Sequence, residues 1–345
     1  MPITMNYTMP AEWHLQTATW TSWPHNVETW PDNLDEAQAE FVAFVKTIAQ
    51  YQPVKVMCGE IAKSTAGKSL AEVERIQLID IPTNDAWARD YAPTFVKVNG
   101  TGELAVINWH YNAWGGKYPP YDDDQQVATR VAEHIGLPIV SPDLCFEGGA
   151  IEINDSGLML CTRSCALDPN RNPGKTVSVV ENIFRETLGA EEIIWLSGDA
   201  IEGDDTDGHI DQLARFTDDH TIVYAWCDDE TDPQHAGLAT NLDDLKTGIS
   251  QLGSAKTNGD KIRLIPLPIP SAINLCDRRV PASYCNFLIG NGVVIVPQFG
   301  DIKFDRIAME TLTPLFPDRE VIGLDSLNLS VGLGSFHCLS QQQPM

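Results

Sequence analysis

Short β-rich runs alternate with helical stretches along this whole chain, and that alternation is its strongest constraint on fold. Helices are predicted over Asp35 to Gln50, Asp124 to Ile135, Val177 to Leu188 and Asn241 to Leu252. Between them lie runs such as Lys55 to Cys58, Leu104 to Asn108, Ala150 to Ile153, Leu158 to Thr162, Thr221 to Trp226 and Val293 to Pro297. Such alternation makes an α/β protein. Asn291-Gly292 between two apolar runs marks a hairpin, and Asn154-Asp155-Ser156-Gly157 marks another with a longer loop. Polar clusters punctuate the pattern. Asp90, Glu147, His209, Asn286 and Cys338 are separated by 57, 62, 77 and 52 residues. That spacing hints at a repeated unit, each copy feeding one residue to a shared centre.

Composition narrows the function classes. The formal net charge of −25 argues against nucleic acid or an anionic membrane as partner, and suits either a cationic ligand or plain solubility. No segment approaches the ~20 uninterrupted apolar residues of a membrane span. Met1 to Tyr7 has neither a basic start nor an apolar stretch, so no signal peptide is expected and the cytoplasm is the expected location. The eight cysteines, among them Cys58, Cys145, Cys227, Cys276 and Cys285, are scattered without a C-x-x-C. Most read as small buried hydrophobes. No long linker divides residues 1–345, and a single domain is expected.

Four clusters carry chemistry. Asn84 to Pro93 contains Trp87, Arg89 and Asp90 and reads as a strand-end loop. A Trp beside alternating charges binds a flat cation, or the Arg simply bridges to a carboxylate beneath a core Trp. Glu147-Gly148-Gly149 either aims an acid into a tight turn or is a plain strand entry. Asp204 to Asp211 places His209 and Asp211 two apart, on one face of an extended segment. This pair suits proton exchange, a hard or borderline divalent ion, or a solvated acidic loop. The last cluster is Gly332 to Pro344, where a glycine-bearing turn leads to Cys338 and then to a glutamine run. Tails normally fray, so this one reads as packed inward to deliver a thiolate. A lone cysteine is otherwise structural, but one Cys, one His and several carboxylates form a nucleophilic set.

In order along the chain stand Met9 to Trp13, Trp20 to Pro24, Trp87 to Asp90, Asn112 to Tyr118, Glu147 to Gly149, Arg171 to Pro173, Asp205 to Asp211, Ser283 to Phe287 and His337-Cys338. With these motifs over nearly its whole length, the chain resembles the agmatine deiminase branch of the guanidino-group-modifying enzymes, related to bacterial peptidylarginine deiminases. The resemblance implies a five-bladed pseudo-symmetric α/β propeller, the pentein fold, with a central active site in one catalytic domain. It implies deimination of agmatine to N-carbamoylputrescine and ammonia through a covalent Cys-thiouronium intermediate. Cys338 would be the nucleophile and His209 the acid/base group. Asp90 and Asp211 would clamp the guanidinium, Glu147 would partner His209, and Trp87 would pack on the substrate. No metal and no organic cofactor are implied. The partner is a small cationic guanidino compound, and self-association stays open. Alternatives are a deiminase of free or peptidyl arginine, with Arg89, Arg163 or Arg171 meeting a carboxylate, and a metal-dependent hydrolase using His209 and Asp211. Five positions depart from the family pattern: Gln16, Ala92, Ala150, and Leu333 and Ser335 in the turn before the Cys. Leu333 carries a Cβ and cannot enter φ > 0 cheaply, so a different turn is expected there.

Overall fold

The last strand of the chain closes the fold onto its beginning. The computed structural model describes residues 6–252, 261–275 and 278–345; Cys276 lies outside them. Ser340–Pro344 pairs antiparallel with Gln16–Ser22. Trp20 Nε1 donates to Gln343 Oε1 (3.0 Å) and Thr21 Oγ1 to the Leu339 carbonyl (2.7 Å). The glutamine run is therefore a buried strand.

One topology recurs five times among the described residues: an antiparallel hairpin, a helix, and a strand returning parallel to the hairpin's second strand. A helical crossover lets strands run parallel, and each unit uses one. The first copy is Thr94–Val98 and Leu104–Ile107, then Asp124–Ile135, then Ile139–Val140. The second is Glu152–Ile153 and Leu158–Thr162, then Val177–Leu188, then Glu192–Leu196. The third is Ala214–Asp218 and Thr221–Trp226, then His235–Gln251, then Arg263–Pro268. The fourth is Leu288–Gly290 and Val293–Gln298, then Ile302–Leu312, then Glu320–Asp325. The fifth joins the two ends of the chain: Ser340–Pro344 and Gln16–Ser22, then Leu34–Ala49, then Val54–Met57, with Ile76–Ile79 added at its edge.

The hairpin strands are buried along most of their length because helices cover them. In Leu34–Ala49 the burial of Phe41, Phe44, Val45 and Ile48 follows the helical repeat. Phe44 stacks on Phe336 at 4.8 Å and 10°, so this helix also supports the turn before Cys338. Both sequence-predicted hairpins form, at Leu288–Gly290 with Val293–Gln298 and at Glu152–Ile153 with Leu158–Thr162. Ala150 belongs to a 3-10 turn, Gly148–Ala150, rather than to the strand.

The repeat explains the near-regular spacing of the polar clusters. Within five residues upstream of each unit's first strand comes a polar side chain: Asp90, Glu147, His209 with Asp211, Asn286, and Cys338.

Candidate active site

Two of these strand-entry residues, Asp90 and Cys338, line a cavity of about 730 Å³, whose wall also includes Trp87, Tyr111, Trp114 and Leu333. His209 and Asp211 do not line it but contact residues that do. Two local expectations need correction. Asp90 stands on a one-turn helix, Ala88–Tyr91, rather than in a loop. His209 ends an extended stretch and caps a second short helix, Ile210–Leu213, so His209 and Asp211 do not share the face of one extended segment. They converge because Gly149 leaves room. A Cβ there would meet His209 Nδ1 at 2.6 Å, Asp90 Oδ1 at 2.7 Å and Asp211 Oδ2 at 3.2 Å.

Cys338 is held from two sides. Asn286 Nδ2 donates to its sulfur (3.1 Å), and the thiol reaches Asp211 Oδ2 at 3.5 Å. The turn before it lies against the Trp87 indole. A Cβ at Gly332 would meet Trp87 Cζ2 at 2.7 Å, and one at Gly334 would meet Cζ3 at 2.5 Å. Leu333, between them, adopts φ +76°. Despite its Cβ, Leu333 enters the left-handed region, and its side chain lines the cavity. Such a conformation costs roughly 1–2 kcal/mol for a residue with a Cβ, and the packing of its flanking glycines on Trp87 holds it. Ser335 is buried, with its hydroxyl 2.6 Å from that of Ser326.

The acids have distinct partners. Asp90 accepts from Gly149 N and from Trp114 Nε1, each at 2.9 Å. Asp211 Oδ2 contacts His337 Nδ1 (2.7 Å), whose Nε2 meets Glu12 Oε2 (2.9 Å). Asp211 Oδ1 has no partner. Glu147 Oε1 accepts from Arg171 Nε (2.8 Å), and its Oε2 stands 3.6 Å from His209 Nε2. His209 Nδ1 lies 3.6 Å from Asp90 Oδ1, and neither ring nitrogen forms a hydrogen bond.

These surroundings set the proton affinities. Burial, and then the charges of Asp211 and Asp90, push the Cys338 thiol well above its ordinary range. Burial also lifts Asp90 to about 6, helped by Asp211 and Glu147 and opposed by His209. For Glu147 burial acts upward, but Arg171 and His209 outweigh it and bring the carboxyl down to about 2. Burial would lower His209, yet Asp90 and the contacts with Cys165 and Glu147 raise it well above the usual histidine range. Asp211 ends below the carboxylate norm because His337 outweighs burial. An uncharged thiol beside buried acids, with a charged imidazole near, is a site waiting for a cation.

All six residues singled out in the sequence thus gather around or just behind one cavity. Several structural partners carried no local signal. Trp114 and Arg171 stood in motifs without these roles, while Glu12 and His337 come from opposite ends of the chain. The arginines proposed to meet a substrate carboxylate are committed elsewhere. Arg89 Nη1 donates to Gln341 and Gln342, Arg171 holds Glu147 and Asp207, and Arg163 lies over the Trp195 ring. Of the other departures, Ala92 has φ −72°, which any residue adopts, and Gln16 donates to the carbonyls of Glu12 and Ile289.

Residues 8–344 match the family model for Porphyromonas-type peptidyl-arginine deiminase. The chain is 35% identical to the agmatine deiminase of Pseudomonas savastanoi pv. phaseolicola, over 97% of this chain and 95% of that one. Its structure is similar to a Cys-to-Ser variant of the C. jejuni agmatine deiminase with substrate bound, with TM-score 0.88 and 30% identity, covering 98% of this chain and 96% of the other. It is also similar to an agmatine deiminase of Enterococcus faecalis, with TM-score 0.91 and 28% identity over the same shares.

Proposed function

The chain belongs to the Porphyromonas-type peptidyl-arginine deiminase family, and from that premise we propose that it hydrolyses agmatine to N-carbamoylputrescine and ammonia. One observation carries the reading. Cys338, His209, Asp90 and Asp211 come from three different units and meet beside one cavity, with the thiol 3.5 Å from an acid and the imidazole nitrogens unpartnered. Relatives of similar length are agmatine deiminases, one of them with substrate bound to a Cys-to-Ser variant.

The mechanism follows from the charges. A guanidinium entering between Asp90 and Asp211 supplies positive charge beside the sulfur, so the Cys338 thiol can lose its proton to solvent. The thiolate adds to the guanidinium carbon. His209, already charged, gives a proton to one nitrogen, which leaves as ammonia with cleavage of its C–N bond. The product of this half is an S-alkylthiouronium. His209 then takes a proton from water, the hydroxide adds to the same carbon, the C–S bond breaks to return the thiolate, and the hydroxyl proton passes to solvent as the ureido carbonyl forms. Glu147, fixed by Arg171, orients the imidazole, and Trp87 packs on the substrate.

Agmatine is favoured over arginine because Arg89, Arg163 and Arg171 do not line the cavity. Arg278 does line it and supports the second reading, an arginine-type substrate whose carboxylate it would meet. The metal-dependent alternative has less support, since His337 occupies Asp211 Oδ2. The five units read as blades of a pseudo-symmetric propeller, and residues 1–345 as one catalytic domain. Seven free thiols among the described residues fit a reducing cytoplasm. A substrate panel of agmatine, arginine and a C-terminal-arginine peptide, assayed for ammonia, tests the assignment. Agmatine should have the highest kcat/KM; faster release from either arginine substrate overturns it.

A further inference from the structure

Behind Asp90, a second thiol that the reaction does not use completes a compact donor set with two groups that it does. Cys165 Sγ stands 3.6 Å from Glu147 Oε2, and His209 Nε2 stands 3.6 Å from the same oxygen. One donor atom from each of the three residues lies within 4.8 Å of the others, and all three residues are fully buried. A second observation points to a ligand here: both ring nitrogens of His209 are buried without any hydrogen-bond partner, each 3.6 Å from a carboxylate oxygen. We propose that Glu147, Cys165 and His209 form a site for a borderline-soft divalent cation such as Zn²⁺, whose binding withdraws His209 from catalysis and switches the enzyme off.

The spacing supports this. Zn–S, Zn–N and Zn–O bonds at tetrahedral angles place neighbouring donor atoms roughly 3.3–3.6 Å apart, close to the two separations observed. A thiol, an imidazole and a carboxylate together select zinc over magnesium or calcium. His209 Nδ1 faces Asp90 at 3.6 Å, the carboxylate–histidine–metal order that orients a ligating ring. Glu147 Oε1 is taken by Arg171, which leaves Oε2 for the ion. The Arg171 charge opposes binding, while Asp90 and Asp211 favour it. On binding, the Cys165 sulfur and the His209 nitrogen give up any protons to solvent, and no redox step is involved.

The loss of activity rests on His209 being the acid/base group, but binding does not, so the test reads binding first. Zn²⁺ is titrated against a chromophoric chelator, and Co²⁺ is followed by its thiolate charge-transfer band, in the wild-type chain and in Cys338→Ala, Cys165→Ala and His209→Ala. One ion per chain should bind the wild type and Cys338→Ala alike. Cys165→Ala and His209→Ala should each weaken it at least ~10-fold, and Cys165→Ala should lose the charge-transfer band. Zinc should inhibit the wild type over the concentration range in which it binds, with recovery on chelation. Binding that follows Cys338 instead of Cys165, or the absence of stoichiometric binding, overturns the proposal. Agmatine turnover without added metal is scored separately, so failure of this site and failure of the deiminase reading are told apart.

Discussion

Arg89 Nη1 donates to Gln342 Oε1 at 2.6 Å, tying the residue beside Asp90 to the strand that follows Cys338. The same nitrogen reaches Gln341 Oε1 (2.7 Å), while Arg89 Nε donates to the His337 carbonyl (3.2 Å). The segments that carry Asp90 and Cys338 are therefore braced through one buried guanidinium. Arg89→Ala should cost ~3 kcal/mol or more, since charge-assisted bonds are lost and buried acceptors left open. Tm should fall, and kcat with it. Unchanged values for both would show that the tail holds itself.

Cys338→Ala should abolish ureido product while a guanidinium ligand still binds, because Asp90 and Asp211 remain. Product formation is measured colorimetrically and binding by calorimetry. Full activity in the variant would sink the mechanism.

Acid should weaken substrate binding. Asp90 is raised to about 6 in the ligand-free site, so the fold favours its protonated form. Its contribution to stability is whole below the unfolded value of ~3.9 and is lost as pH rises through about 6. Guanidinium binding needs the ionised form and runs the other way, strengthening as pH rises through about 6. Calorimetric titrations from pH 5 to 8 should show this trend, and Asp90→Asn should bind weakly with a flattened dependence. A pH-independent affinity in the wild type would contradict it.

Gly149→Ala should be nearly inactive although its backbone is unstrained. The added methyl would enter the space shared by Asp90, His209 and Asp211. We expect a kcat loss of ~100-fold or more, the scale on which small misplacements of catalytic groups act. Near-normal turnover would show that the three groups tolerate displacement.

Leu333→Gly and Leu333→Ala separate strain from contact. Both remove the isobutyl group from the cavity wall, but only the glycine relieves φ +76°. KM for agmatine should rise in both variants, while the glycine variant should melt above the alanine one. Equal melting temperatures would mean that the turn stores no strain.

Much of the architecture was legible where local pattern and tertiary environment agreed. Asp124–Ile135 and Val177–Leu188 have the bounds that periodicity predicts. Leu158–Thr162 and Thr221–Trp226 are equally clear, because both faces are covered and their runs are apolar. Ser340–Pro344 was not visible as a strand. Its glutamines look solvent-loving, and partners from distant segments, Arg89, Trp20, Lys55 and the Pro93 carbonyl, satisfy them in the interior. Ala214–Asp218 was hidden similarly, since buried Arg215 is tolerated through Glu12, Glu152 and the carbonyls of Cys285 and Phe287, all from other segments.

By itself the sequence determined the kinds of chemical group and their order, one polar cluster ahead of each repeated unit, because strand and helix periodicities are local. Only the tertiary structure decided which atoms are free to act. His337 occupies one oxygen of Asp211 and leaves the other open, Arg171 is spent on Glu147, and Leu333 turns left-handed against Trp87. Hydrogen-bond partners and proton affinities arise from groups brought together across more than a hundred residues, as His337 and Asp211 are. Local pattern carries no record of such meetings; burial and charge in the folded chain do.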